Sequence, residues 1–209
     1  VLYNIWDAGG AKAVEEAGAN AVATGSWSIA AAHGYDDGEA IPLDFVLRIV
    51  ERICTGVDVP VTVDFEGGYA MQPDEVAQNV RKAMRAGAVG INFEDRVVKG
   101  EGLHAISAQT ARIRAIKAVA ADEGAPLFVN ARTDLFLGTD PASHEGHLAE
   151  ALEREAAYAQ AGADCFFVPG LTDTGLISQV TEKASLPVNV MMMGELTSIK
   201  DVASLGVSR

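Results

Sequence analysis

The feature that most constrains this chain is a seven-fold alternation of short apolar runs with amphipathic ones. Val1 to Trp6 reads as a strand, followed by a helix over Gly10 to Ala17. Then come Ala21 to Thr24 and Leu43 to Cys54, Val61 to Phe65 and Asp74 to Ala86, and Gly90 to Glu94 and Ser107 to Ala121. Leu127 to Arg132 precedes His147 to Ala161, Cys165 to Val168 precedes Thr174 to Ala184, and Pro187 to Met192 precedes Ser198 to Ser204. The links repeat as well. "EEAGANAV", "MRAGAVGINF" and "AQAGADCFF" each close a helix with Ala-Gly-Ala, where Gly takes the left-handed position that ends helices. "VDVPVTV", "EGAPLFV" and "ASLPVNV" each set a Pro just before a strand, which stops a helix and presets an extended entry. Regular βα repetition implies a parallel sheet. Seven units with an eighth approaching in "LGVSR" predict an α/β fold, a (β/α)8 TIM barrel, as a single domain over residues 1–209. The chain starts inside a strand and stops before its last strand and helix, so the intact protein is expected to be longer.

Barrels of this kind place function at the C-terminal ends of their strands. Polar residues closing different strands should therefore converge on one mouth. In "VTVDFEGGYA", Asp64 and Glu66 are two apart and share a face of strand three. Two carboxylates that close repel unless a positive group sits between them, either a hard divalent cation or a nearby Arg or Lys. In "GINFED", alternation points Ile91 and Phe93 at the helices and Asn92 and Glu94 at the barrel axis, with Asp95 following. "LFVNARTD" brings Asn130, Arg132 and Asp134 in the same i, i+2, i+4 phase, and strand seven brings Asn189. "TGSWS" closes strand two as a small-residue loop, with Gly25, Ser26 and Trp27 offering backbone N–H groups to an anion. Acids facing a cation, beside an Arg facing an anion, suit a substrate that carries carboxylate and carbonyl oxygens. Trp6 and Asp7 close strand one at the same mouth, while His33 and Tyr35 read as structural.

The formal charge of −13, from 16 basic and 29 acidic residues, argues against nucleic acid or an anionic membrane surface as partner. No apolar run is long enough to span a membrane, and no signal peptide is evident. Cys54 and Cys165 sit in apolar contexts without metal-type spacing, which fits buried thiols in a reducing, cytoplasmic setting.

Taken in order, "NIWDAGGAKAVEEAGANAVATGSWSIAAAHGYDDGE", "VDVPVTVDFEGGYA", "GINFED" and "NARTD" resemble the isocitrate lyase / phosphoenolpyruvate mutase superfamily. The resemblance covers nearly the whole chain. It implies a barrel whose eighth helix swaps between subunits of a homo-oligomer, a dimer or tetramer. It also implies Mg2+ or Mn2+, an enolate or oxyanion intermediate, and 2-oxo or 2-hydroxy acid substrates. The family's metal-binding aspartate falls on Asp64, and its water-mediated carboxylates fall on Glu66 and Glu94. A further acid near the metal waters falls on Asp37, the substrate-binding Arg on Arg132, and the backbone grip on Gly25, Ser26 and Trp27.

One departure narrows the reading. Isocitrate and methylisocitrate lyases carry a Lys-Lys/Arg-Cys-Gly-His loop after strand four, with the Cys as acid/base. Here that stretch is "EDRVVKGEGLHAIS", without Cys. Phosphoenolpyruvate mutase has a Lys and an Asn there, whereas this loop has Lys99 one place short and no following Asn. What is left is the branch of oxaloacetate decarboxylase-like and other short lyase-like members. The expected function is a Mg2+-dependent carbon–carbon lyase or decarboxylase acting on a small 2-oxo or 2-hydroxy dicarboxylic acid through a metal-bound enolate. Lys99 or His104, in the Gly-bearing stretch "KGEGLH", would supply the proton. The alternatives are a phosphonate mutase or hydrolase on the same cradle, and a non-catalytic 2-oxo acid-binding barrel.

Overall fold

The computed structural model describes all 209 residues. Seven parallel strands lie side by side in chain order, with helices on the outside. They are β1 (Tyr3–Ile5), β2 (Val22–Thr24), β3 (Val61–Asp64), β4 (Gly90–Glu94), β5 (Phe128–Arg132), β6 (Cys165–Phe167) and β7 (Val188–Asn189). The helices are α1 (Ala8–Glu16), α2 (Ser26–Ala32), α3 (Leu43–Cys54), α4 (Pro73–Arg85), α5 (Ile106–Asp122), α6 (His144–Ala161), α7 (Thr174–Lys183) and α8 (Ile199–Ser204). The sheet curls as a TIM barrel does. After α8 the chain returns beside β7, where Ser208 and Arg209 donate their N–H groups to the Val188 carbonyl. The Val190 N–H donates to the Arg209 carbonyl. Those residues take the place of an eighth strand.

Local chemistry explains the elements. Helix α4 starts with Pro73 in its first turn, carries Asp74 and Glu75 at its positive end, and has Lys82 and Arg85 at its negative end. Val76, Ala77, Val80 and Ala83 form its buried stripe. The three Ala-Gly-Ala links turn through Gly18, Gly87 and Gly162 at φ of +96°, +105° and +101°. A core of 36 buried residues, including Ile91, Phe93, Val129 and Phe166, fills the space between sheet and helices.

Two expectations need correction. The stretch after β2 is helix α2 and not a loop. Its serines and glycine suggest a turn, but Ala30, Ala31 and Ala32 are strong helix formers, and Ile29 and Ala30 anchor the segment in the core. Strand β7 stops at Asn189, well short of Met192. Phe167 pairs with Asn189 and is the last residue of β6, so a longer β7 finds no ladder on that side. Met191, Met192 and Met193 are exposed.

Candidate active site at the barrel mouth

The register aligns Asp64 with Asn92 and Asn92 with Asn130, and one step later Glu94 with Arg132. A parallel sheet therefore gathers these side chains without any loop rearrangement. The Asn130 amide donates to Asn92 Oδ1 at 2.8 Å, closing the layer beneath the mouth. Above it, Arg132 is the countercharge for the acids. Its Nε and Nη2 clamp Asp134 at 2.5 and 2.8 Å, and its Nη1 stands 3.2 Å from Glu94 and 4.0 Å from Asp64. Burial opposes its charge, but Glu94, Asp134 and Asp64 together hold its pKa well above the ordinary value. Glu94 moves upward, because burial and the neighbouring acids outweigh Arg132, which is shared.

Asp64 has an asymmetric environment. Its Oδ2 accepts from the Ser26 N–H at 3.1 Å and the Ser26 hydroxyl at 2.7 Å. Its Oδ1 is buried and has no hydrogen-bond partner. A buried carboxylate oxygen left bare is costly unless a further group completes it. The surroundings suit a hard cation, with oxygen donors only and Glu66 and Glu94 close by. No three acid, His or Cys side chains converge tightly enough to ligate an ion together. That donor set fits Mg2+, which keeps several waters and binds through one or two carboxylates plus substrate oxygens.

The loop after β3 is strained. Glu66 and Tyr69 have φ of +48° and +56°, and Glu39 has +58°. Non-glycine residues seldom adopt that region, and such strain persists where surrounding bonds enforce it. Those bonds are visible. The Glu39 N–H donates to Glu66 Oε2 at 2.8 Å, the Tyr69 N–H donates to Glu39 Oε1 at 2.7 Å, and the Tyr69 hydroxyl donates to Glu66 Oε1 at 3.3 Å. Burial pushes the Glu66 carboxyl up to about 7, against the pull of the Glu39 N–H.

Asp95 joins the mouth to its cover. It is fully buried, and its Oδ1 accepts from the Asp134 N–H at 3.1 Å. Its Oδ2 accepts from the Tyr158 hydroxyl at 2.7 Å and from Arg154 Nη1 at 3.2 Å. Arg154 Nη1 also donates to the His104 carbonyl at 3.0 Å, and the His104 N–H donates to the Asp95 carbonyl at 2.7 Å. Between Asp95 and His104 the chain forms a hairpin, bridged at Arg96 and Leu103. Its base is thus fixed to α6, while Lys99 sits exposed at its tip.

The family model for phosphoenolpyruvate phosphomutase matches residues 1–209. A crystal structure of a Burkholderia cenocepacia protein, provisionally named a phosphonomutase, superposes with a TM-score of 0.95 at 45% identity. The match covers 99% of this chain and 83% of that one. The chain belongs to the isocitrate lyase / phosphoenolpyruvate mutase superfamily. Members of the superfamily differ in reaction. The oxaloacetate decarboxylase of Paraburkholderia xenovorans is 30% identical over 213 residues, covering 100% of this chain and 68% of the relative. The 2-methylisocitrate lyase of Escherichia coli is 29% identical over 179 residues, covering 83% and 58%.

In this superfamily member the structure gathers Asp64, Glu94 and Arg132 as the alternation predicts. Glu66 does not share a strand face with Asp64: β3 ends at Asp64, and the left-handed turn that follows directs the Glu66 carboxylate to the Glu39 N–H and the Tyr69 hydroxyl, from where it acts on Asp64 and Glu94 through charge. Asp37 stays on the exposed rim and acts on Glu66 through its charge. The backbone donors of the Gly25–Trp27 stretch are largely committed. The Gly25 N–H goes to the Ile5 carbonyl and the Ser26 N–H to Asp64, while the Trp27 ring is 68% exposed. Asn189 is buried at the end of β7, and its side chain makes no hydrogen bond. His104 and Lys99 are not linked to Asp64, Glu94 or Arg132 by hydrogen bond or ion pair. They line a separate pocket behind Gly67, with Glu39 and Arg112. His33 caps Ile29 through its ring nitrogen and meets Phe45 edge-on, a structural placement. Sequence reasoning missed Glu39, Arg112 and the Arg154–Tyr158 pair. "GYDDGE" offered three acids without a phase to choose among them, and the other residues lie on helices whose inward-facing polar positions look like surface ones.

Proposed function

We propose that this protein is a Mg2+-dependent lyase or decarboxylase that breaks a carbon–carbon bond in a small 2-oxo or 2-hydroxy dicarboxylic acid. The observation that carries this reading is the buried Oδ1 of Asp64, which makes no hydrogen bond and has Arg132 Nη1 4.0 Å away. A cation held by that oxygen, beside the guanidinium, would match a substrate's carbonyl and carboxylate. Asp64 would hold the ion directly, with Glu66 and Glu94 receiving its water ligands. When bound, Mg2+ would draw electron density from the carbonyl and favour enolate formation. Ser26 fixes the orientation of Asp64. Asp134 holds the plane of Arg132, and Nη1, now shared with Glu94, would turn to the substrate carboxylate. Lys99, at the tip of the Arg96–Leu103 hairpin, is the proposed source of the proton that quenches the enolate, which requires that tip to swing from the pocket behind Gly67 over the mouth. His104 is a weaker candidate because both its backbone groups are tied to the hairpin base.

Phosphonate chemistry is the second reading, supported by the provisional name of the 45%-identical B. cenocepacia structure. A phosphonate brings more negative charge than a dicarboxylate, while Arg132 is already shared among three acids. One assay separates the readings. Oxaloacetate and phosphonopyruvate are offered with Mg2+ and with EDTA, and pyruvate, phosphate and phosphoenolpyruvate are followed against the uncatalysed rate. Mg2+-dependent pyruvate from oxaloacetate alone supports the decarboxylase reading, and phosphate release or phosphoenolpyruvate formation from phosphonopyruvate supports the phosphonate one. No turnover on either would overturn both and favour a binding barrel.

A further inference from the structure

Behind the metal-side loop lies a second pocket of about 100 Å³, between the hairpin and the segment Gly67–Met71. It is roughly three water volumes in size. Its charged lining is unbalanced. Arg96, Lys99 and Arg112 face a single acid, Glu39, and burial beside Arg112 and Arg154 holds the His104 imidazole toward its neutral form. In a chain of net charge −13 this is a local positive island.

Arg112 makes the imbalance acute, being only 1% exposed. Buried charges are ordinarily paired with an opposite charge. Arg112 instead donates to neutral oxygens, Gln109 Oε1 at 2.6 Å, the Gly67 carbonyl and the Ala70 carbonyl at 3.1 Å. It also lies over the Phe93 ring, 4.7 Å from its centroid. Its Nε is buried with no partner at all. No carboxylate lies at ion-pair distance from this guanidinium, Glu39, Asp95 and Glu94 act on it only through longer-range charge, and the pocket it lines has room for an anion. The dimensions admit a carboxylate or phosphate group.

We infer that the Glu39–Arg112 pocket binds a small oxyanion, of the carboxylate or phosphate class, between the hairpin and the loop that carries Glu66. Arg112 supplies the fixed charge from below, while Arg96 and Lys99 close over the anion from the hairpin. Because Arg112 already holds the Gly67 and Ala70 carbonyls, an anion there would tie the hairpin to the metal-side loop. The site is distinct from the Asp64–Arg132 cradle and stands whichever reaction that cradle performs.

The test is an amide NMR titration of the protein in EDTA, at constant ionic strength, with inorganic phosphate in one arm and acetate in the other. Saturable shifts are expected at Gly67, Tyr69, Ala70, Val98 and His104, with Ser26 and Arg132 unmoved. Arg112→Gln risks unfolding, so the exposed Arg96→Ala and Lys99→Ala variants carry the comparison. Each should weaken binding roughly twofold to fivefold, the range of a solvent-screened charge pair. Glu39→Gln, which keeps the acceptor for the Tyr69 N–H, should tighten binding. Saturation by phosphate alone or by acetate alone assigns the class, and either supports the site. The inference is overturned by no saturable shift with either anion, by shifts centred on Arg132, or by equal affinity in both cation variants. Because neither Mg2+ nor substrate is present, failure here is separable from failure of the proposed reaction.

Discussion

Replacing Asp64 with Asn should remove metal binding and leave the fold intact. Asn keeps a side-chain oxygen that can accept from the Ser26 N–H, which donates at 3.1 Å in the native chain. It loses the charge-assisted part of two hydrogen bonds, worth about 1 kcal/mol or somewhat more in total. Against that loss, one carboxylate leaves a cluster that also holds Glu66 and Glu94, which relieves like-charge repulsion. The net change in stability without metal should be within about 1 kcal/mol. The change in metal response should be much larger. A ligand that binds only the folded state at one hundred times its dissociation constant stabilises by about 2.7 kcal/mol. For a chain of this length that is a rise of roughly 5–11 °C in Tm. Differential scanning fluorimetry across a Mg2+ series reads this directly, with NaCl at matched ionic strength as a control for screening. The wild-type Tm should climb and saturate, whereas the Asp64→Asn curve should stay flat. A variant that keeps the wild-type shift would show that Asp64 Oδ1 is not where the ion binds, and the argument from its bare buried oxygen would fail.

Three further outcomes follow from the same contacts. Tyr158→Phe removes the hydroxyl that donates to Asp95 at 2.7 Å and should cost about 1.5–3 kcal/mol, read as a lower urea midpoint with unchanged m-value. Gly67→Ala would set a Cβ 2.8 Å from Val98 Cγ2 and 3.1 Å from Glu39 Oε1, so it should push the hairpin outward and speed amide hydrogen exchange at Val97 and Gly100, with little change at β4. Glu66 is held up to about 7 in the folded chain from an ordinary value of 4.5, so the folded state binds its proton more tightly. Its stabilising contribution is complete below about pH 4.5 and is lost as pH rises through 7; in EDTA, Glu66→Gln should flatten that fall, which reaches at most about 3 kcal/mol by denaturant titration.

Strand phase made the mouth legible. Asp64, Glu94 and Arg132 could be placed because a strand has a period of two and the neighbouring apolar residues declare which side faces the helices. Ile91 and Phe93 fix the phase of β4, and a parallel ladder then carries that phase to β5 as Glu94 opposite Arg132. Helix α2 was illegible for the opposite reason. Its seven residues mix turn formers with alanine, and only the burial of Ile29 and Ala30 decides between the two. Glu39 was hidden by conformation. A left-handed glutamate whose N–H and carboxylate face opposite ways leaves no periodic trace in "GYDDGE", and its partners lie 27 and 30 residues away.

The buried charges divide into two groups, and the division bears on which residues carry the chemistry. Asp95 and Arg154 satisfy each other with help from Tyr158, and removing any one strands a charge in the interior. Their work is structural: they fix the Asp134 N–H, and through Asp134 they set the plane of Arg132. Asp64 Oδ1 and Arg112 Nε are different, because each is buried and neither makes a hydrogen bond. One is an acid at the barrel mouth, the other a cation beside a pocket, and Gly67 lies in the loop between them. An unpaired acceptor calls for a cation and an unpaired donor for an anion. If both proposed sites fill, the strained loop between them is completed from either side, by a cation at Asp64 and an anion at Arg112.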